Sequence, residues 1–135
     1  MGELIREVIR TASAPGPIGP YSQAVRSGGL LFVSGMLGLV PSTGEMVLGG
    51  IQAETRQALS NLQAILEAGS SSLALVVKTT VFLRDMADFP LMNSVYGEFL
   101  TADPPARSTV QVVALPGGAQ VEVEAIAAVS RPVGD

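Results

Sequence analysis

Arg107 opens the strand-like segment Pro105-Ala106-Arg107-Ser108-Thr109-Val110-Gln111-Val112, in which it is the one charged residue. A guanidinium keeps its proton and presents a planar fork that grips a carboxylate at two points, so a partly buried arginine must meet a protein acid or a bound anion. Taken alone it reads as a solvated or surface-paired side chain, because most arginines lie at the surface. Glu122 and Glu124 stand two apart in Val121-Glu122-Val123-Glu124-Ala125-Ile126. In a strand they share one face, and Val121, Val123 and Ala125 the other. Such a pair is either a solvated outer face or an acid that orients water. Asn93 falls on the apolar side of a helical pattern, where a structural hydrogen bond within the protein is the commoner use of an amide. Tyr21 follows the rigid loop Pro15-Gly-Pro-Ile-Gly-Pro20 and serves either as a phenol over a pocket or as a core plug, while Ser34-Gly35 offers a hydroxyl and close backbone approach.

Composition narrows the chemistry. The 135 residues contain no Cys and no His, which removes thiol nucleophiles, disulfides, the usual neutral-pH acid/base and the commonest metal ligand. No compact acid cluster suggests a metal. With a net charge of −4 and only eight Lys and Arg, the chain offers phosphate backbones little to hold, so nucleic acid is not an expected partner. Glycines and Pro41 interrupt the longest uncharged stretch, 27–44, and residues 1–12 are punctuated by charges; neither a membrane span nor a secretory signal is expected, and the default compartment is the cytoplasm. Hydrophobic residues reach 47% against 15% charged, which points to apolar surface between subunits.

One domain, 1–135, is expected from this length. Ala24 to Ser27 and Leu30 to Ser34 flank Gly28-Gly29 as a hairpin. Ala58, Leu59, Leu62, Ile65 and Leu66 recur at helical spacing across 52–68, with Gly69 placed to end the helix. Residues 75–84 suit a central strand, and Asp88 is positioned to cap a second helix, with Pro90 in its first turn and Phe89, Met92, Tyr96 and Phe99 along one face, ending near Thr101. Strands 108–115 and 121–130 follow. The order is strand, strand, helix, strand, helix, strand, strand, an α+β pattern with two helices on one face of a sheet and an opposite face that needs cover from another subunit. As a simple hairpin the last two strands would set Arg107 against Ala128, roughly 20 Å from Glu122. A different strand order or a second chain is needed to bring them together.

Six blocks, Ile18-Gly19-Pro20-Tyr21-Ser22-Gln23-Ala24, Val33-Ser34-Gly35, Val77 to Leu83, Asn93-Ser94-Val95-Tyr96, Pro105-Ala106-Arg107-Ser108 and Val121 to Ala127, together resemble the YjgF family of reactive intermediate deaminases over about residues 8–130. The arginine block marks its RidA branch. The resemblance implies a chorismate-mutase-like mixed sheet in a homotrimer, with sheets packed inside and active sites between subunits, and the last two strands flanking strand 76–84. It implies hydrolysis of enamines and imines such as 2-aminoacrylate and 2-iminobutanoate, released by pyridoxal-phosphate enzymes, to 2-keto acids and ammonia without a cofactor. Arg107 then matches the carboxylate-binding residue, Glu122 the acid that orients or activates water, and Tyr21, Ser34, Gly35 and Asn93 pocket positions. Thr109 replaces a frequent Cys and adds a hydroxyl, and Thr101-Ala102-Asp103-Pro104 is a short approach to Arg107. The contrasting reading is a non-catalytic trimer that binds a small carboxylate and regulates a partner, with a nuclease a distant third.

Overall fold

The helical spacing of Ala58, Leu59, Leu62, Ile65 and Leu66 is realised in α1 (Ile51–Ala68), which buries all five of these side chains together with Ile51. The helix ends as expected at Gly69, whose N–H donates to the Ile65 carbonyl at 3.0 Å, while Ser71 N–H reaches back to Leu66 at 2.8 Å and Ser70 takes φ 64°. In the computed structural model, which describes residues 5–130, the remaining elements are β1 (Glu7–Ile9), β2 (Ala24–Ser27), β3 (Leu30–Met36), β4 (Val76–Leu83), α2 (Phe89–Phe99), β5 (Ala106–Gln111) and β6 (Val121–Ala128). The strands form one mixed sheet in the order β1-β2-β3-β6-β4-β5, parallel at β4/β5 and antiparallel elsewhere.

Several expectations are corrected. The five-strand order lacks β1, a short edge strand held by the Arg26–Glu7 ion pair as well as by its ladder to β2; three residues carry too little pattern to announce a strand. Asp88 does not cap α2. A 3₁₀ turn at Met86–Asp88 runs directly into the helix, leaving Asp88 helical and the cap role to the extended Asp85, whose carboxylate accepts Ala87 N–H at 2.9 Å. The helix itself ends at Phe99 with Leu100 as its C-cap, near Thr101 as expected. β5 begins at Ala106 and ends at Gln111, where its parallel partner β4 runs out, so Val113 is fully exposed instead of continuing a strand to 115.

The last two strands do not form a hairpin: β4 lies between them, in line with the resemblance. Alternation along β6 is strict, with Val121, Val123, Ala125 and Ala127 buried beneath the helices and Glu122, Glu124, Ile126 and Ala128 on the other face. Among the described residues no helix covers that second face, which carries the partly exposed Leu30 and Phe32 of β3 and Val110 of β5. Among the described residues no helix is long and apolar enough to cross a membrane.

The join between β3 and α1 is tight. A Cβ on Gly38 would lie 2.8 Å from Glu54 Cα and 2.9 Å from Glu54 O, both backbone atoms of the first turn of α1 that have no rotamer with which to yield. Gly38→Ala is therefore expected to destabilise the fold by about 2 kcal/mol, read as a melting temperature lower by roughly 5–10 °C. A melt within 1 °C of wild type would contradict this contact.

Candidate functional site

The register sets Arg107 opposite Thr79 on β4, and Thr79 opposite Ala125 on β6, so Arg107 points to the helix-covered face. There its guanidinium carbon stands 4.6 Å from the centre of the Tyr96 ring and 5.5 Å from that of Phe89, both on α2. No acid pairs with it among the described residues. It faces a pocket of about 360 Å³ whose walls include Asn93, Tyr96, Leu100, Pro104 and Pro105. Asn93 Oδ1 and Thr109 Oγ1 are buried without a hydrogen-bond partner among the described residues. The structural hydrogen bond expected for the Asn93 oxygen is thus absent, and an unpaired buried acceptor beside an unpaired cation is unusual enough to call for a ligand or a second chain.

Glu122 occupies the opposite face. It lines a small pocket of about 60 Å³ with Tyr21, Gly35, Met36 and Pro116. The ladder between β3 and β6 slips here: Val33 pairs with Ala125 and Met36 with Val123, so Ser34 and Gly35 stand against Glu124 alone. Such a bulge re-aims side chains, and the missing Cβ of Gly35 gives Glu122 its space, because an added methyl would fall 2.6 Å from Glu122 Cδ. Burial pushes the Glu122 carboxyl above the ordinary carboxylate range, and the charge of Glu124 pushes it further the same way.

Tyr21 is half exposed, its hydroxyl accepting Ile18 N–H at 3.2 Å. The loop that presents it is organised by a residue to which sequence reasoning assigned no role. Buried Gln23 accepts Thr11 N–H at 2.8 Å and donates to the carbonyls of Thr11 at 3.0 Å and Pro15 at 2.8 Å. Its position beside a Pro/Gly-rich block was the available signal, since an irregular loop has few backbone partners of its own and a buried amide can supply them. Ser34 donates its hydroxyl to the Ser22 carbonyl at 2.6 Å and lines a separate shallow pocket with Ser22 and Phe32. The aromatic seat of Arg107 was also not foreseen from sequence.

The predicted residues therefore fall into two groups, Arg107, Asn93 and Thr109 on one face and Tyr21, Gly35 and Glu122 on the other, with Ser34 beside Tyr21. Arg107 and Glu122 lie two strands and three residues apart, roughly 14 Å within the sheet plane, and point away from each other. A single chain cannot bring both to one small molecule. Among the described residues no group of three or more acids could hold a metal ion.

Known proteins share this architecture. The chain is 48% identical over 127 residues to human 2-iminobutanoate/2-iminopropanoate deaminase, covering 94% of this chain and 93% of that protein. It is 51% identical over 123 residues to a RutC family protein of Pyrococcus horikoshii, covering 91% and 98%. The crystal structure of Escherichia coli TdcF with bound serine superposes with a TM-score of 0.88 at 42% identity, covering 92% and 99%. The profile of the family described as Endoribonuclease L-PSP matches residues 11–129, which include both groups of site residues. With that match and these relatives, the chain belongs to the Endoribonuclease L-PSP family, the YjgF/RidA proteins.

Proposed function

We propose that this protein is a 2-iminobutanoate/2-iminopropanoate deaminase, a single RidA-like domain of 1–135 with its core at about 8–130, working as a cytoplasmic homotrimer. The observation that carries the reading is Arg107, a cation on a pocket wall with no acid as partner among the described residues. The names of the human and mouse relatives support the reaction class, and the serine bound to TdcF supports a ligand bearing a carboxylate.

In this mechanism Arg107 takes the substrate carboxylate in a bidentate grip, while Asn93 and Thr109 offer polar atoms beside it. An enamine first becomes the imine by gaining a proton at C3. The protonated imine is already electrophilic at C2, so water adds there, aligned by Glu122 of a neighbouring subunit with Tyr21 and Gly35 shaping its side of the cleft. The proton given up by the added water passes to the amine nitrogen, and the carbinolamine then expels ammonia as its hydroxyl loses its remaining proton, leaving the 2-keto acid. No step needs a cofactor. The trimer supplies the missing geometry, since the uncovered apolar face with Phe32 and Val110 requires burial and Glu122 lies on that face. Pyridoxal-phosphate dehydratases, which release such imines, are the functional neighbours.

The test follows imine loss after a threonine dehydratase generates 2-iminobutanoate, with sedimentation reporting the mass of the assembly. Faster decay with catalytic amounts of protein, and a trimer, are expected. Binding of 2-oxobutanoate with no acceleration would instead favour a carboxylate sensor. In the same assay Gly35→Ala, which displaces the Glu122 carboxyl, is expected to lower kcat about 10²-fold, as angstrom-scale misplacement does. Unchanged turnover would remove Glu122 from the reaction.

A further inference from the structure

We propose that Tyr96 is a positioning residue for Arg107: its ring holds the guanidinium by the flat face so that the N–H edges stay open to a substrate carboxylate. This rests on the reading of Arg107 as the carboxylate binder.

An arginine at an edge strand has four rotatable side-chain bonds and scans a wide volume unless something holds it. The usual holder is an acid, which would occupy the same N–H fork that a ligand needs. Here the guanidinium carbon stands 4.6 Å from the Tyr96 ring centre, with Phe89 at 5.5 Å, and no acid pairs with it among the described residues. A cation over a ring is attracted through the ring's π face, and a guanidinium lying flat on it keeps its in-plane donors unoccupied. The ring is itself fixed. Tyr96 is buried in α2, and its hydroxyl shares a 2.7 Å hydrogen bond with Thr79, the residue paired with Arg107 across the β4/β5 ladder. The strand that carries the arginine is thus tied, through Thr79, to the ring that orients it.

This arrangement separates two parts of Tyr96. The ring acts on Arg107, whereas the hydroxyl acts on the helix-to-sheet contact. Tyr96→Leu should raise KM for 2-iminobutanoate and the Kd for 2-oxobutanoate about fivefold with kcat within twofold, because binding of the carboxylate is shared by ground and transition states. Tyr96→Phe keeps the ring and should retain wild-type KM and Kd, at the cost of a lower melting temperature. A folded Tyr96→Leu protein with wild-type KM and Kd overturns the proposal, as does Tyr96→Phe weakened as much as Leu. Should the Leu variant not fold, the wild-type protein still decides: ring currents shift the Arg107 Hδ and Hε resonances upfield, identified by their loss in Arg107→Lys, and shifts at ordinary arginine positions overturn it. Arg107→Ala separates the two readings. Unchanged 2-oxobutanoate affinity in that variant sinks the carboxylate role itself, whereas weakened affinity there with wild-type affinity in Tyr96→Leu sinks only the role of Tyr96.

Discussion

Arg107→Ala is expected to lower kcat/KM for 2-iminobutanoate by roughly 10²–10³-fold, the equivalent of about 3–4 kcal/mol, while the protein stays folded. The size follows from what the substitution leaves behind. A substrate carboxylate entering the pocket by Asn93, Tyr96 and Leu100 would lose its water without gaining a counter-charge, and removing one partner of a desolvated charge pair costs far more than removing a surface one. Stability should change little, because Arg107 has no ion pair to lose among the described residues and its contact with Tyr96 and Phe89 is a cation–π one. Arg107→Lys should fall between the two, keeping charge but losing both the planar fork and the stack. The measurement is imine decay, with circular dichroism as the fold check; decay as fast as wild type with the Ala variant would overturn the assignment.

Glu122→Gln is expected to move activity and stability in opposite directions. Its carboxyl is held above the ordinary carboxylate range, first by burial and then by Glu124, so the folded protein binds that proton more tightly than the unfolded chain does. Folding stability from this group therefore declines as pH rises from the ordinary carboxylate pKa through the raised folded value, and the ionised side chain opposes folding above it. A neutral amide of the same shape removes that opposition. The Gln variant should melt higher than wild type at pH 7 and lose the advantage below about pH 4, where wild-type Glu122 is protonated in both states. Its kcat should drop about 10²-fold, the usual size for a lost acid or base, and the acidic limb of the wild-type pH profile, where activity fades as Glu122 gains its proton, should vanish with it. A Gln variant that is less stable at neutral pH would contradict the burial of the charge, and an acidic limb that survives the substitution would assign it to another group.

Much of the architecture was legible in side-chain periodicity. The burial of Ala58, Leu59, Leu62, Ile65 and Leu66, the Gly28-Gly29 turn and the alternation from Val121 to Ala127 need only local geometry, a helix repeating every 3.6 residues and a strand every two. Boundaries were less legible where a neighbour sets them. β5 stops at Gln111 because β4 has no further residues to pair, and Asp85 displaces Asp88 as a cap because a 3₁₀ turn precedes the helix. Neither cause is local to the residue concerned.

The site divides in the same way. Residue types and spacing already singled out Arg107, Glu122, Asn93, Tyr21, Ser34 and Gly35, and the family resemblance gave them their pocket roles and added Thr109. What they do together was decided in three dimensions. Insertion of β4 between β5 and β6 sends Arg107 and Glu122 to opposite faces, and the bulge at Ser34-Gly35 opens the space that Glu122 fills. Which face a side chain takes depends on its register against a strand far away in sequence, a property no local pattern encodes. The sequence alone thus determined the chemical inventory and the elements that carry it, and the tertiary structure decided that the inventory is split, with Arg107 seated on Tyr96 and Glu122 held over Gly35 on the sheet's other side.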